Sequence, residues 1–187
     1  ETEVVYDDYN VNIDKNLIRA IEFSVDYDQL LKDTNEVLEK YSFKSQNQLC
    51  FQNTKNTPPD PYQGIGDTRL NHSPAYGLKE KDFTEFNPAF KDTVFEYVFN
   101  NFPYKIGRMR LMKVPAKRCY WIHNDPGIVR YHFAVYTNED CFILYKNHGH
   151  FHIPADGVCY LMNTEEHHTA INASRQDRIH LVISGCI

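Results

Sequence analysis

Residues 107–187 carry eight short runs of strand-forming residues separated by turn signals, and this pattern constrains the fold more than any other feature. The predicted strands are 108–114, 118–123, 129–137, 141–146, 149–153, 157–162, 167–172 and 178–185. Between them fall Pro115, Asp125-Pro126-Gly127, Asn138-Glu139-Asp140, Pro154-Ala155-Asp156-Gly157 and Ser174-Arg175-Gln176-Asp177. These residue types favour turns and interrupt a ladder. Eight such strands predict a mainly β chain, a double-stranded β-helix (jelly roll) with flanking helices. The last run alternates: Ile179, Leu181 and Ile183 oppose Arg178, His180 and Ser184. One face should look outward to a helix and the other into the barrel. Thirteen Tyr and twelve Phe suit strands and a ligand-lined interior.

The first 106 residues read as the buttress of that barrel. A helix is expected from about 27 to 41, capped by Asp26, with Leu30, Thr34, Val37, Leu38 and Tyr41 on one face. A second is expected from about 88 to 101, with Asn87 as cap and Pro88 at the first position. Its stripe of Phe90, Val94, Phe95, Val98, Phe99 and Phe102 should pack on a sheet. Between them, residues 52–86 are rich in Pro, Gly, Asn and Asp and read as a loop covering a site. The 187 residues are expected to form one domain, with 107–187 as the jelly-roll core.

Composition narrows the function classes. Net charge is −5 and no Lys/Arg run occurs, which argues against nucleic acid. No apolar stretch reaches the ~18 residues of a membrane span. The five Cys, at 50, 119, 141, 159 and 186, form no CxxC pair. Free thiols in a reducing cytoplasm are the expectation. The first residue is Glu1, not Met, which leaves a removed leader open.

Chemistry concentrates around His123-Asn124-Asp125 and His168. On an extended chain, residues 123 and 125 project to one side. In a jelly roll the seventh strand can lie near the end of the second and bring His168 to them. Two imidazoles and one carboxylate hold non-haem Fe(II) and leave coordination positions open. Arg178 and Arg130 each begin a strand, with His132 on the face of Arg130; inward arginines call for an anion. His148, His150 and His152 alternate on another strand and read as a polar face. His180 shares the side of Arg178. Trp121 reads as core or cavity wall, Asn124 as structural, and Arg69 as a solvated loop residue.

The stretch from Arg108 to Gly185 resembles the aspartyl/asparaginyl β-hydroxylase family of Fe(II)/2-oxoglutarate oxygenases, which includes free-proline hydroxylases. The matching residues are His123-x-Asp125, Arg130-Tyr131-His132, Glu166-His167-His168, and Arg178 ten positions beyond His168. That spacing selects His168 over His167. The resemblance implies a cupin-like barrel with His123, Asp125 and His168 on Fe(II), and Arg178 on the distal carboxylate of 2-oxoglutarate. It places Arg130 and His132 against that co-substrate near the metal. The implied reaction consumes O2 and 2-oxoglutarate, releases succinate and CO2, and hydroxylates an amino-acid side chain, free or within a polypeptide. Two rivals remain at this stage. One is a cupin-type metal enzyme that needs no 2-oxoglutarate and no Arg178. The other is a non-catalytic jelly-roll module binding sugar or protein.

Overall fold

A computed structural model of the chain describes residues 17–66 and 77–186. Twelve strands and two α-helices follow one another: β1 Ile18–Ser24, α1 Tyr27–Lys40, β2 Gln48–Cys50, β3 Gln52–Asn53, β4 Glu85–Phe86, α2 Val94–Asn101, β5 Ile106–Val114, β6 Arg118–Cys119, β7 Ile128–Tyr136, β8 Cys141–Tyr145, β9 Gly149–Phe151, β10 Val158–Asn163, β11 His168–Asn172 and β12 Arg178–Cys186. A six-stranded antiparallel sheet runs β1-β10-β7-β12-β5-β2, and a four-stranded sheet runs β6-β11-β8-β9. The eight strands expected in the C-terminal half are the eight found there. With β1 and β2 added to the larger sheet, they form the jelly roll.

Alternation along the central strands separates two environments. In β12, Leu181 lies opposite Leu111 and Phe133, and Ile183 opposite Met109 and Tyr131. These residues form the outer core, with Leu30 and Val37 of α1 and Phe95 and Val98 of α2. Phe51 stacks on Phe95 at 4.1 Å between ring centroids and meets Phe90 edge-on at 4.8 Å. The intervening residues point into the barrel. Arg178, His180 and Val182 lie opposite Val114, Met112 and Arg110. Val182 and Ser184 lie opposite His132 and Arg130. A second apolar cluster of Ala134, Ile143, Tyr145, Tyr160 and Met162 fills the rest of the interior.

The first helix matches its expected span, and Asp26 accepts from the Gln29 N–H at 2.7 Å. The second expectation needs correction. Asn87 caps only a 3-10 turn, Pro88–Phe90; the chain then leaves the helix, with Asp92 at φ 61°, and α2 starts at Val94. The side chain of Asp33, reaching over from α1, accepts from the Val94 N–H at 2.6 Å. A tertiary cap thus replaces continuous helix. Among the described residues, no helix is long and apolar enough to cross a membrane.

Candidate metal centre and active-site cavity

The strand pairing that closes one end of the barrel also assembles the candidate metal site. β6 pairs with β11 through Cys119–Ile171 and Arg118–Asn172. Beyond β6 the chain bends away, then returns for one isolated antiparallel bridge between His123 and His168. Their backbones exchange hydrogen bonds at 3.0 and 2.8 Å. The strand expected over 118–123 is therefore only two residues long. Asp125 is held separately, its N–H donating to the Thr164 carbonyl at 2.7 Å. One ligand atom from each of His123, Asp125 and His168 lies within 4.8 Å of the other two. This is the one such group of three His, Cys, Asp or Glu residues among those described.

The protonation states suit a cation. Nδ1 of His123 lies 2.7 Å from the Trp121 carbonyl, and Nδ1 of His168 lies 2.7 Å from the Glu166 carbonyl. A carbonyl only accepts, so each Nδ1 carries the proton and each Nε2 offers its lone pair. Burial, joined by the nearby His123 and Arg130, holds His168 down to about 4 despite the raising influence of Glu166 and Asp125. Burial pushes Asp125 up, but the charge and hydrogen bond of Arg130 outweigh it and leave the carboxyl below its ordinary range. Arg130 Nη2 donates to Asp125 Oδ2 at 3.0 Å, and its Nη1 donates to the Ser184 hydroxyl.

Behind Arg130 stands a residue that sequence reasoning missed. Glu80, in the 3-10 turn Glu80–Asp82, accepts from Arg108 Nε at 3.0 Å and from Nη2 at 2.7 Å, and lies 3.8 Å from Arg130. Gly107 permits this approach, because a Cβ there would stand 2.7 Å from that of Glu80. Burial raises the Glu80 carboxyl, yet the Arg108 hydrogen bond and the Arg110, Arg108 and Arg130 charges lower it to about 2.

The three potential ligands line a cavity of about 270 Å3 with Arg110, Arg130, His132 and Arg178. Arg178 is buried, and burial brings its guanidinium down to about 10 against the raising influence of Tyr120 and Cys141. Its Nε donates to His180 Nε2 at 3.0 Å, while Nη2 approaches His180 Nδ1 at 2.5 Å. Burial first, then the Arg178 charge, keeps His180 and His132 neutral. A neutral ring accepts at only one of these two nitrogens. His180 Nδ1 also lies 3.0 Å from His132 Nδ1. His132 Nε2 is a buried atom with no hydrogen-bond partner among the described residues.

Other sequence expectations fare unevenly. His168 is buried and His167 exposed. Trp121 is not core but 89% exposed, because the bend after β6 carries it outward. Asn124 turns away from the cavity and donates to the Glu165 carbonyl at 3.2 Å, as a structural residue should. His152 Nδ1 meets the Cys141 carbonyl, and His148 faces Glu166 at 3.8 Å. The described parts of residues 52–86 do not line the cavity; Ser45, Gln46, Asn47 and Gln48 do. Arg69 lies outside the described residues.

The family model for aspartyl/asparaginyl beta-hydroxylase matches residues 74–185. The chain belongs to this family. The match begins upstream of the stretch in which the sequence resemblance was legible, and takes in Glu80. No curated protein matches the chain. Among solved structures, IDO from Bacillus thuringiensis is similar at 13% identity, over 90% of this chain and 89% of that one, with TM-score 0.45. EvdMO1 is similar at 13% identity, over 91% of this chain and 47% of that one, with TM-score 0.49. A predicted oxalate decarboxylase from Thermotoga maritima is similar at 20% identity, over 49% of this chain and 73% of that one, with TM-score 0.37. The family makes this a hydroxylase-type protein, on the jelly roll formed by its two antiparallel sheets.

Proposed function

We propose that the chain is an Fe(II)/2-oxoglutarate-dependent dioxygenase that hydroxylates an amino-acid side chain. One observation carries the reading: two imidazoles and one carboxylate converge on the wall of a cavity that also holds the buried Arg178. His123, Asp125 and His168 would hold the metal and leave coordination positions for co-substrate and O2. When bound, Fe(II) supplies the redox chemistry that couples oxidative decarboxylation of 2-oxoglutarate to C–H hydroxylation. One oxygen atom of O2 enters succinate and the other enters the hydroxylated product, with CO2 released.

The residues around the site then take distinct tasks. Arg178 fixes the distal carboxylate of 2-oxoglutarate as a charge-assisted partner. His132, whose buried Nε2 has no partner among the described residues, contacts the co-substrate within the cavity. Arg130 keeps Asp125 ionised and aimed. The apolar wall of Ile143, Met162 and Val182 limits water beside the reacting atoms. The test is succinate release by anaerobically iron-loaded protein given 2-oxoglutarate and then O2. His123→Ala should lose the metal. Arg178→Ala should keep the metal yet bind 2-oxoglutarate about 100-fold more weakly. Unchanged 2-oxoglutarate affinity in Arg178→Ala would remove that role, and absence of succinate from the wild type would remove the reaction.

A further inference from the structure

Arg110 has no task in that reaction, yet the fold holds its charge in a costly place. It is 1% exposed, on the barrel face of β5, and it lines the cavity. Its Nη1 donates to Gln48 Oε1 at 2.9 Å, while its Nε is buried and has no partner. Among the described residues, no carboxylate is in ion-pair contact with it. A buried guanidinium left this way is strongly disfavoured unless an anion joins it. Burial, with repulsion from Arg108 and Arg130, outweighs the attraction of the more distant Glu80 and drives Arg110 well below its ordinary range. An anion beside it would reverse that effect.

The other charges around the cavity are already matched. Arg130 is matched by Asp125 and Glu80. On the reading above, Arg178 is matched by the distal carboxylate of 2-oxoglutarate, whose other carboxylate would go to the metal. Arg178 lies opposite Val114, four residues along β5 from Arg110. That is about 13 Å along the strand, so Arg110 marks a second place in the cavity. Gln48 Oε1 also accepts from the Gly66 N–H at 2.9 Å. Arg110 is thus held before any ligand arrives.

We propose that Arg110, oriented by Gln48, binds a carboxylate of the primary substrate. Ser45, Gln46 and Asn47 form the cavity wall beside it. With about 270 Å3 shared between co-substrate and substrate, the reacting piece is no larger than one amino acid. The carboxylate is therefore the α-carboxylate of a free amino acid or the side chain of a single Asp or Glu in a peptide. The inference rests on the dioxygenase reading but fails separately from it.

The experiment uses anaerobic Mn(II)-loaded protein and calorimetry. 2-Oxoglutarate is titrated first; if it does not bind the wild type, the dioxygenase reading itself falls. The loaded protein is then titrated with the twenty free amino acids, their α-carboxamides, and N-acetylated, C-amidated Asp, Asn, Glu and Gln. At least one carboxylate should bind, and its amide counterpart should bind more weakly by on the order of 30-fold. Binding by a free amino acid names one source; binding by a blocked acidic residue names the other. Arg110→Gln should lose that ligand to a similar extent and keep 2-oxoglutarate affinity within about twofold. Equal binding of acid and amide overturns the proposal without any variant. So does a panel in which no carboxylate binds, or an Arg110→Gln protein that loses 2-oxoglutarate and keeps the panel ligand.

Discussion

Replacing Glu80 with Gln tests whether the network behind the metal site is a source of stability. The amide copies the protonated acid, so the variant resembles wild-type protein with that one carboxyl neutral. In the folded protein the carboxyl titrates at about 2, against an ordinary 4.5. A gap of this size corresponds to about 3 kcal/mol at neutral pH. That agrees with the ~3–5 kcal/mol lost when one partner of a buried ion pair is removed. The sign follows from linkage. A depressed carboxyl stabilises the fold above its unfolded value, and the stabilisation is lost as pH falls from 4.5 toward 2. Urea unfolding of both proteins at pH 7, 5, 4 and 3 gives the difference directly. It should be about 3 kcal/mol at pH 7 and roughly half of that or less at pH 3. A difference below about 1 kcal/mol at pH 7, or one that does not change with pH, would refute the reasoning.

Three further outcomes follow from local geometry. Asp33→Ala removes the side-chain acceptor for the Val94 N–H and should cost about 2 kcal/mol in urea unfolding without altering metal affinity. Gly157→Ala should cost more than about 2 kcal/mol, because residue 157 has φ 78° and a Cβ there would stand 2.2 Å from the Val25 carbonyl oxygen. Trp121→Ala should change stability by less than about 0.5 kcal/mol and leave metal binding intact, since the side chain is 89% exposed and the backbone carbonyl that meets His123 Nδ1 is kept.

The jelly roll was legible because its strands are short, regularly spaced and punctuated by Pro, Gly, Asn and Asp. Ligand candidates were legible because His123 and Asp125 stand two apart beside a turn signal, with His168 opening a later predicted strand and Arg178 ten residues beyond it. What escaped was tertiary. The run Arg108-Met109-Arg110-Leu111 shows two faces but not which one is solvent; here Arg110 lines the cavity, Arg108 pairs with Glu80, and the Met and Leu join the core against the helices. Glu80 sits in a segment with no periodic pattern, and nothing local couples it to Arg108. The break before α2 depends on Asp33, sixty-one residues earlier. Trp121 was misplaced because an aromatic two residues before a ligand on a regular strand would share its face, and β6 stops before reaching it.

The way the two histidines are oriented has a consequence for how this scaffold can change. Each ring is fixed by the carbonyl two residues before it on its own chain, Trp121 for His123 and Glu166 for His168. Backbone carbonyls survive any substitution at those positions. The imidazoles therefore keep their aim while neighbouring side chains are exchanged, and the selectivity-bearing walls can be rewritten without disturbing the pair. A family built on this arrangement can diversify its chemistry of recognition by point mutation, and a laboratory library at residues 45–48, 110 and 112 would sample new specificities on an undisturbed pair of imidazoles.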